Sequence, residues 1–88
     1  MIRRRVTVHG LVQGVFFRDT VRSRASTRGV SGWARNRPDG SVEMVFEGEL
    51  DAVEALVELC RTGPRGARVD RVEIDDEAPE GLTGFVIS

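Results

Sequence analysis

The chain predicts an α+β fold: an antiparallel sheet with two helices packed on one face. Three observations predict it. Two stretches alternate apolar and polar residues with the period of a half-buried strand, two others place apolar residues at helical spacing, and a turn signal joins two further strands. Their order is βαββαβ, and right-handed crossovers in its two strand-helix-strand halves bring both helices to the same side of the sheet.

The first strand is RRRVTVHG, where Val6 and Val8 alternate with Arg5, Thr7 and His9. From Phe17, apolar or small residues recur at Val21 and Ala25 with arginines at 18, 22, 24 and 28 between them, a stripe along one helix face that Gly29 ends. VSGWARN and SVEMVFEGE form two strands around RPDG, in which Pro38 presets its own φ and Asp39-Gly40 supplies the turn. Leu50, Val53, Leu56, Val57 and Cys60 mark the second helix, closed by Gly63 and Pro64. ARVDRVEIDDE alternates again through Val69, Val72 and Ile74, and GFVIS adds a short last strand or extension. No repeat or linker interrupts this order, so residues 1–88 read as a single domain with the ferredoxin-like sandwich fold. In that sandwich the first and third strands are expected at the centre, parallel to each other. The loop after the first strand then lies beside the chain leaving the second.

Composition narrows the function. At 88 residues, 40% apolar and 31% charged, the chain has room for one modest core, and separate cofactor and substrate domains are excluded. No apolar run approaches the ~20 residues of a membrane-spanning helix. Three arginines precede a strand rather than a longer apolar segment, so no secretory signal is read and a cytoplasmic location is expected. The lone Cys60 suits a reducing compartment. Residues 1–40 carry nine Arg against Asp19 and Asp39, a net of +7, whereas residues 41–88 carry four Arg against twelve acids, a net of −8. An anion site belongs in the first half. All thirteen basic residues are arginine; Gln13 is the only glutamine and Asn36 the only asparagine. Coding bias and selection for heat resistance explain that composition equally well.

The stretch GLVQGVFFR, Gly10 to Arg18, joins the first strand to the first helix. Its glycines permit a tight turn with N–H groups pointing inward, and the unpaired donors of the helix N-terminus point to the same place. A phosphate suits such a nest. Arg18 lies in the first helical turn, where a cation opposes the helix dipole unless a negative partner is present, and a guanidinium meets phosphate through two charge-assisted hydrogen bonds. The Gly-Lys-[Ser/Thr] ending of a P-loop is missing, which argues against nucleoside triphosphates. Asn36, at the end of the second strand, is either a turn residue or an amide that holds a water against substrate.

GLVQGVFFR followed by GWARNRPDGSVEMVFEGE resembles the acylphosphatase family, whose signatures have the forms G-x-V-Q-G-V-x-F-R and G-W-x-x-N-x-x-D-G-x-V. The resemblance continues through the second helix with its Gly-Pro exit, the following strand and GFVI, covering nearly the whole chain. It implies the ferredoxin-like fold and hydrolysis of small acyl phosphates to a carboxylate and inorganic phosphate, with no metal or cofactor. It also implies that Arg18 binds phosphate, that Asn36 orients the attacking water, and that the backbone amides of Val12, Gln13, Gly14, Val15, Phe16 and Phe17 hold the phosphate oxygens. Leu11 departs from the family, many of whose members carry a basic residue there; weaker long-range attraction of the anion follows, with the chemistry kept.

The remaining candidates have plainer readings. His9, the only histidine, is close enough in sequence to serve as a base but reads as a half-exposed strand-end side chain. Cys60 reads as core, as do Trp33, Phe16, Phe17, Phe46 and Phe85, with one of the loop pair partly exposed. Arg35 and Arg37 read as solvated turn residues. A ligand set for zinc is missing. Two rival functions are a non-catalytic phosphate-binding domain and RNA binding. The third strand lacks the aromatic signature of an RNA-recognition sheet, so the expected partners are small molecules, without nucleic acid or membrane, acting on a monomer. The acyl group itself is not specified.

Overall fold

The computed structural model describes residues 1–88. The elements in chain order are β1 (Ile2–Leu11), α1 (Phe17–Arg28), β2 (Ser31–Asn36), β3 (Val42–Gly48), α2 (Leu50–Thr62), β4 (Arg68–Glu77) and β5 (Phe85–Ile87). They form one five-stranded sheet in the order β4-β1-β3-β2-β5. The ferredoxin-like α+β sandwich is thus observed, with two corrections.

β1 and β3 are central but antiparallel, not parallel. A right-handed crossover makes β1 and β2 run the same way with one strand position between them. The hairpin turn after β2 then fills that position with a strand of opposite direction. The second correction is at the edge: β5 pairs parallel with β2 through Gly32↔Phe85 and Ala34↔Ile87, so the sheet is mixed rather than wholly antiparallel.

Alternation sorts the strand residues onto two faces. Val6, Val8, Ala34, Val42, Met44 and Phe46 turn toward the helices and are sealed by Phe17, Val21 and Ala25 of α1 and Val53, Leu56, Val57 and Cys60 of α2. Cys60 donates to the Met44 sulfur at 3.9 Å, and burial pushes its thiol up to about 12, so it packs and does not react. Both helices stop where glycine permits: Gly29 is left-handed at φ 68°, and Gly63 sits at φ 71° with the Phe17 ring against its Cα.

β4 owes its odd spacing, Val69 then Val72, to a bulge. Gly10 pairs with Val69 and His9 with Arg71, leaving Asp70 as the extra residue. Gly10 has φ 133° here, and a Cβ would overlap the Arg68 carbonyl oxygen, so this glycine serves the bulge and not the loop that follows. Gly32 is more constrained still: at φ 150° between β3 and β5, a Cβ would overlap the Val45 carbonyl oxygen. Gly32→Ala is expected to cost about 3 kcal/mol, read as a lowered urea midpoint; an unchanged midpoint would contradict this packing.

The face away from the helices carries charge. Arg3 pairs with Glu47 and Glu77 at 2.8 Å each, Arg5 with Glu43 and Glu77 at 2.6 Å each, and Arg35 with Glu43 at 2.7 Å. Trp33 lies between the Arg5 and Arg35 guanidinium groups, 5.4 and 5.1 Å from its ring centre. Because β4 and β5 are opposite edges, residues 78–84 cross this face, and the Glu47 carboxylate takes the N–H groups of Glu80, Gly81 and Leu82 at 2.8, 3.1 and 3.0 Å. Glu47 is thereby buried to 1% exposure.

Candidate active site

Between the end of β1 and the start of α1 the chain turns through Val12 to Phe16. Gly14, at φ 76°, and Phe16, at φ 61° and ψ 28°, are both left-handed, and Phe16 is the one non-glycine residue of the chain with positive φ. Such a conformation is costly for a side chain with a Cβ and collects at functional sites. Phe16 stands at the N-cap of α1 with no side-chain cap, and the first loop-to-helix bond is Thr20 N–H to the Phe16 carbonyl. None of the N–H groups from Val12 to Phe16 donates to a main-chain or side-chain acceptor in the protein. Five consecutive donors are left open beside the positive end of a helix.

Two anchors hold this loop. Val12 and Phe17 are buried at its two ends, 1% and 2% exposed. Gln13 reaches across to the β2–β3 turn, its Nε2 donating to the carbonyls of Arg37 at 2.8 Å and Ser41 at 2.9 Å. That turn is closed by Asp39, whose carboxylate accepts from the Ser41 hydroxyl at 2.6 Å and the Ser41 amide at 2.9 Å. These two bonds hold the Asp39 carboxyl below the usual carboxylate range.

Arg18 is half-buried in the first turn of α1, with Nη1 donating to the main-chain oxygen of Ser88 at 2.5 Å. Together with the loop it lines a pocket of about 330 Å³, whose walls are Val12, Gly14, Phe16, Phe17, Arg18 and Asp19, with Ile87 of β5 opposite. Asn36 is exposed at the end of β2. Val42 pairs with Val8 on one side and Asn36 on the other, so the ends of β1 and β2 are two strand spacings apart, about 10 Å. By alternation with buried Ala34, Asn36 belongs to the helix side of the sheet, yet it is not part of the pocket wall, and its side chain makes no hydrogen bond within the chain.

His9 alternates with Val8 and so faces the charged side of the sheet, its Nε2 2.6 Å from a Glu73 carboxylate oxygen. That contact fixes Nε2 as the donor, so Arg71, 3.3 Å from the same nitrogen, does not bond to it. His9 is also outside the pocket wall. No three His, Cys, Asp or Glu side chains gather in a way that could hold a metal ion.

Sequence reasoning placed Arg18 and the loop together but missed three features. The Gln13 side chain is a brace spanning 24 residues of chain; its uniqueness as the only glutamine was the available signal. Asp19 and Ile87 both line the pocket, and the short GFVI extension gave no hint that its isoleucine would do so.

The family model described as Acylphosphatase matches residues 4–87. A protein of Rubrobacter xylanophilus named acylphosphatase is 58% identical over 86 residues, covering 97% of this chain and 78% of its own. Among solved structures, the acylphosphatase of Bacillus subtilis superposes with a TM-score of 0.95 at 36% identity, covering 100% of this chain and 99% of its own. An acylphosphatase from Coxiella burnetii gives 0.94 at 38%, covering 99% of this chain and 92% of its own. Sequence, fold and the length over which both agree lead to one conclusion: the chain belongs to the acylphosphatase family.

Proposed function

We propose that the protein hydrolyses the carboxyl-phosphate bond of small acyl phosphates, releasing a carboxylate and inorganic phosphate, with water attacking phosphorus and no metal ion in the step. The observation that carries this reading is the row of open N–H groups from Val12 to Phe16 in the loop whose Val12, Gly14 and Phe16 line one pocket with Arg18. In this reading those amides and that of Phe17 hold the phosphate oxygens. Arg18 leans on Ser88 through Nη1 and has Nε and Nη2 for two phosphate oxygens. In this reading Asn36, at the end of β2 and about 10 Å from the end of β1, holds the attacking water with its amide. The leaving group departs as a carboxylate, which is stable without a proton, so positioning and charge stabilisation suffice.

Asn36→Ala is expected to lower kcat for acetyl phosphate by about 10²-fold while inorganic phosphate inhibits as in the parent protein. Loss of phosphate inhibition together with activity would make Asn36 a ligand instead. The function itself is tested by acetyl phosphate hydrolysis with inorganic phosphate as a competitive inhibitor; a protein that binds phosphate but turns nothing over would overturn it.

RNA binding is disfavoured by the open sheet face, which residues 78–84 cross and where Glu43, Glu47 and Glu77 lie. In this reading the protein acts as a monomer. A single buried thiol suits the cytoplasm. No helix is long and apolar enough to cross a membrane.

A further inference from the structure

Gripping phosphate uses main-chain amides and a guanidinium, which leaves the apolar part of the pocket wall without a task. Phe16 is 75% exposed, yet its left-handed backbone fixes where the ring leaves the chain, at the pocket mouth. Ile87 of β5 lines the same pocket, on the opposite side of that strand from exposed Val86. Asp19 is part of the same wall, with one carboxylate oxygen 3.2 Å from Arg22. A carboxylate beside a phosphate site weakens phosphate binding, and the nearby helix N-terminus explains its stability but not its use.

We propose that Phe16 and Ile87 form an acyl subsite which, with Asp19 at its edge, selects neutral apolar acyl groups, aromatic ones foremost, over acyl groups that carry a second carboxylate. This inference rests on the acyl phosphate hydrolysis proposed above. An acyl phosphate seated with phosphorus over the loop must point its carbon chain out of the nest. There an aromatic or branched group gains contact with the Phe16 ring and Ile87 and gives up only apolar hydration. A chain ending in a carboxylate meets Asp19 and loses hydration without gaining a partner.

The test compares kcat/KM for acetyl, benzoyl and succinyl phosphate in the parent protein and in Phe16→Ala, Phe16→Leu, Ile87→Ala and Asp19→Asn. Ratios between substrates within one variant cancel any damage to the shared phosphate site. Phe16→Ala should lower the benzoyl-to-acetyl ratio about tenfold, Ile87→Ala should lower it less, and Phe16→Leu should recover part of it. Asp19→Asn should raise the succinyl-to-acetyl ratio about fivefold while the benzoyl-to-acetyl ratio stays put. Ratios that do not move in Phe16→Ala and Asp19→Asn would overturn the subsite while leaving the hydrolysis intact. A parent protein that hydrolyses none of the three would overturn the hydrolysis itself.

Discussion

Arg18→Gln is expected to lower kcat/KM for acetyl phosphate by at least ~10²–10³-fold, the cost typical of removing one preorganised charge-stabilising donor from a reacting centre. The loss should exceed that of a pure transition-state contact, because Arg18 would also bind the ground-state phosphate and so raise KM as kcat falls. The fold should survive: within the chain the guanidinium bonds only to the Ser88 main-chain oxygen, and the side chain is half-exposed. Arg18→Lys should fail nearly as badly. An ammonium can meet Ser88 or the phosphate, but it lacks the planar fork that serves both at once. Near-normal turnover by the lysine variant, with an unchanged melting curve, would refute the fork.

The second large effect is on stability, at Glu47. Its carboxylate is buried, pairs with Arg3, itself 4% exposed, and takes three successive N–H groups from residues 80–82. Glu47→Ala leaves a buried guanidinium short of one partner and three main-chain donors unpaired. A loss of about 3–5 kcal/mol is expected, read from urea denaturation. Burial opposes the charged form, but the hydrogen bond from Glu80, then those from Arg3, Leu82 and Gly81, prevail and lower the carboxyl from 4.5 to about 2. A depressed folded-state value means that the contribution is fully present above 4.5 and is lost as pH falls toward 2. Glu43 and Glu77 are lowered too and act in the same direction. The melting temperature should therefore drop between roughly pH 4.5 and 2, and Glu47→Gln should flatten that drop. An equally steep acid transition in Glu47→Gln would place the acid sensitivity elsewhere.

Glu47 also shows where sequence stopped being informative. On an alternating strand it reads as a solvated residue, and it is buried because the chain returns over it with donors 33 to 35 positions away; no local pattern records that crossing. The helices were legible because their signals are local. A stripe at Phe17, Val21 and Ala25 ending at Gly29, and a Gly63-Pro64 stop, need no knowledge of the rest of the chain. Strand direction is another matter: alternation is the same read either way, so the relation of β1 to β3 came only from topology and was assigned wrongly. Their adjacency was right, and it leaves the ends of β1 and β2 two strand spacings apart on either side of β3. The connection from β1 to α1 and the β2–β3 turn were legible from spacing, and Arg18 shares a pocket with that loop. The Gln13 brace and the Ile87 wall depend on contacts 24 and 68 or more residues apart, beyond what spacing carries.

The most direct measurement is hydrolysis of acetyl phosphate in water enriched in oxygen-18, with mass analysis of both products. A nest that seats phosphorus and a carboxamide that aims water at it require the label to appear in inorganic phosphate and none in acetate. Label in acetate would mean that water attacks the carbonyl carbon, and the loop, Arg18 and Asn36 would then have been given the wrong atom to serve.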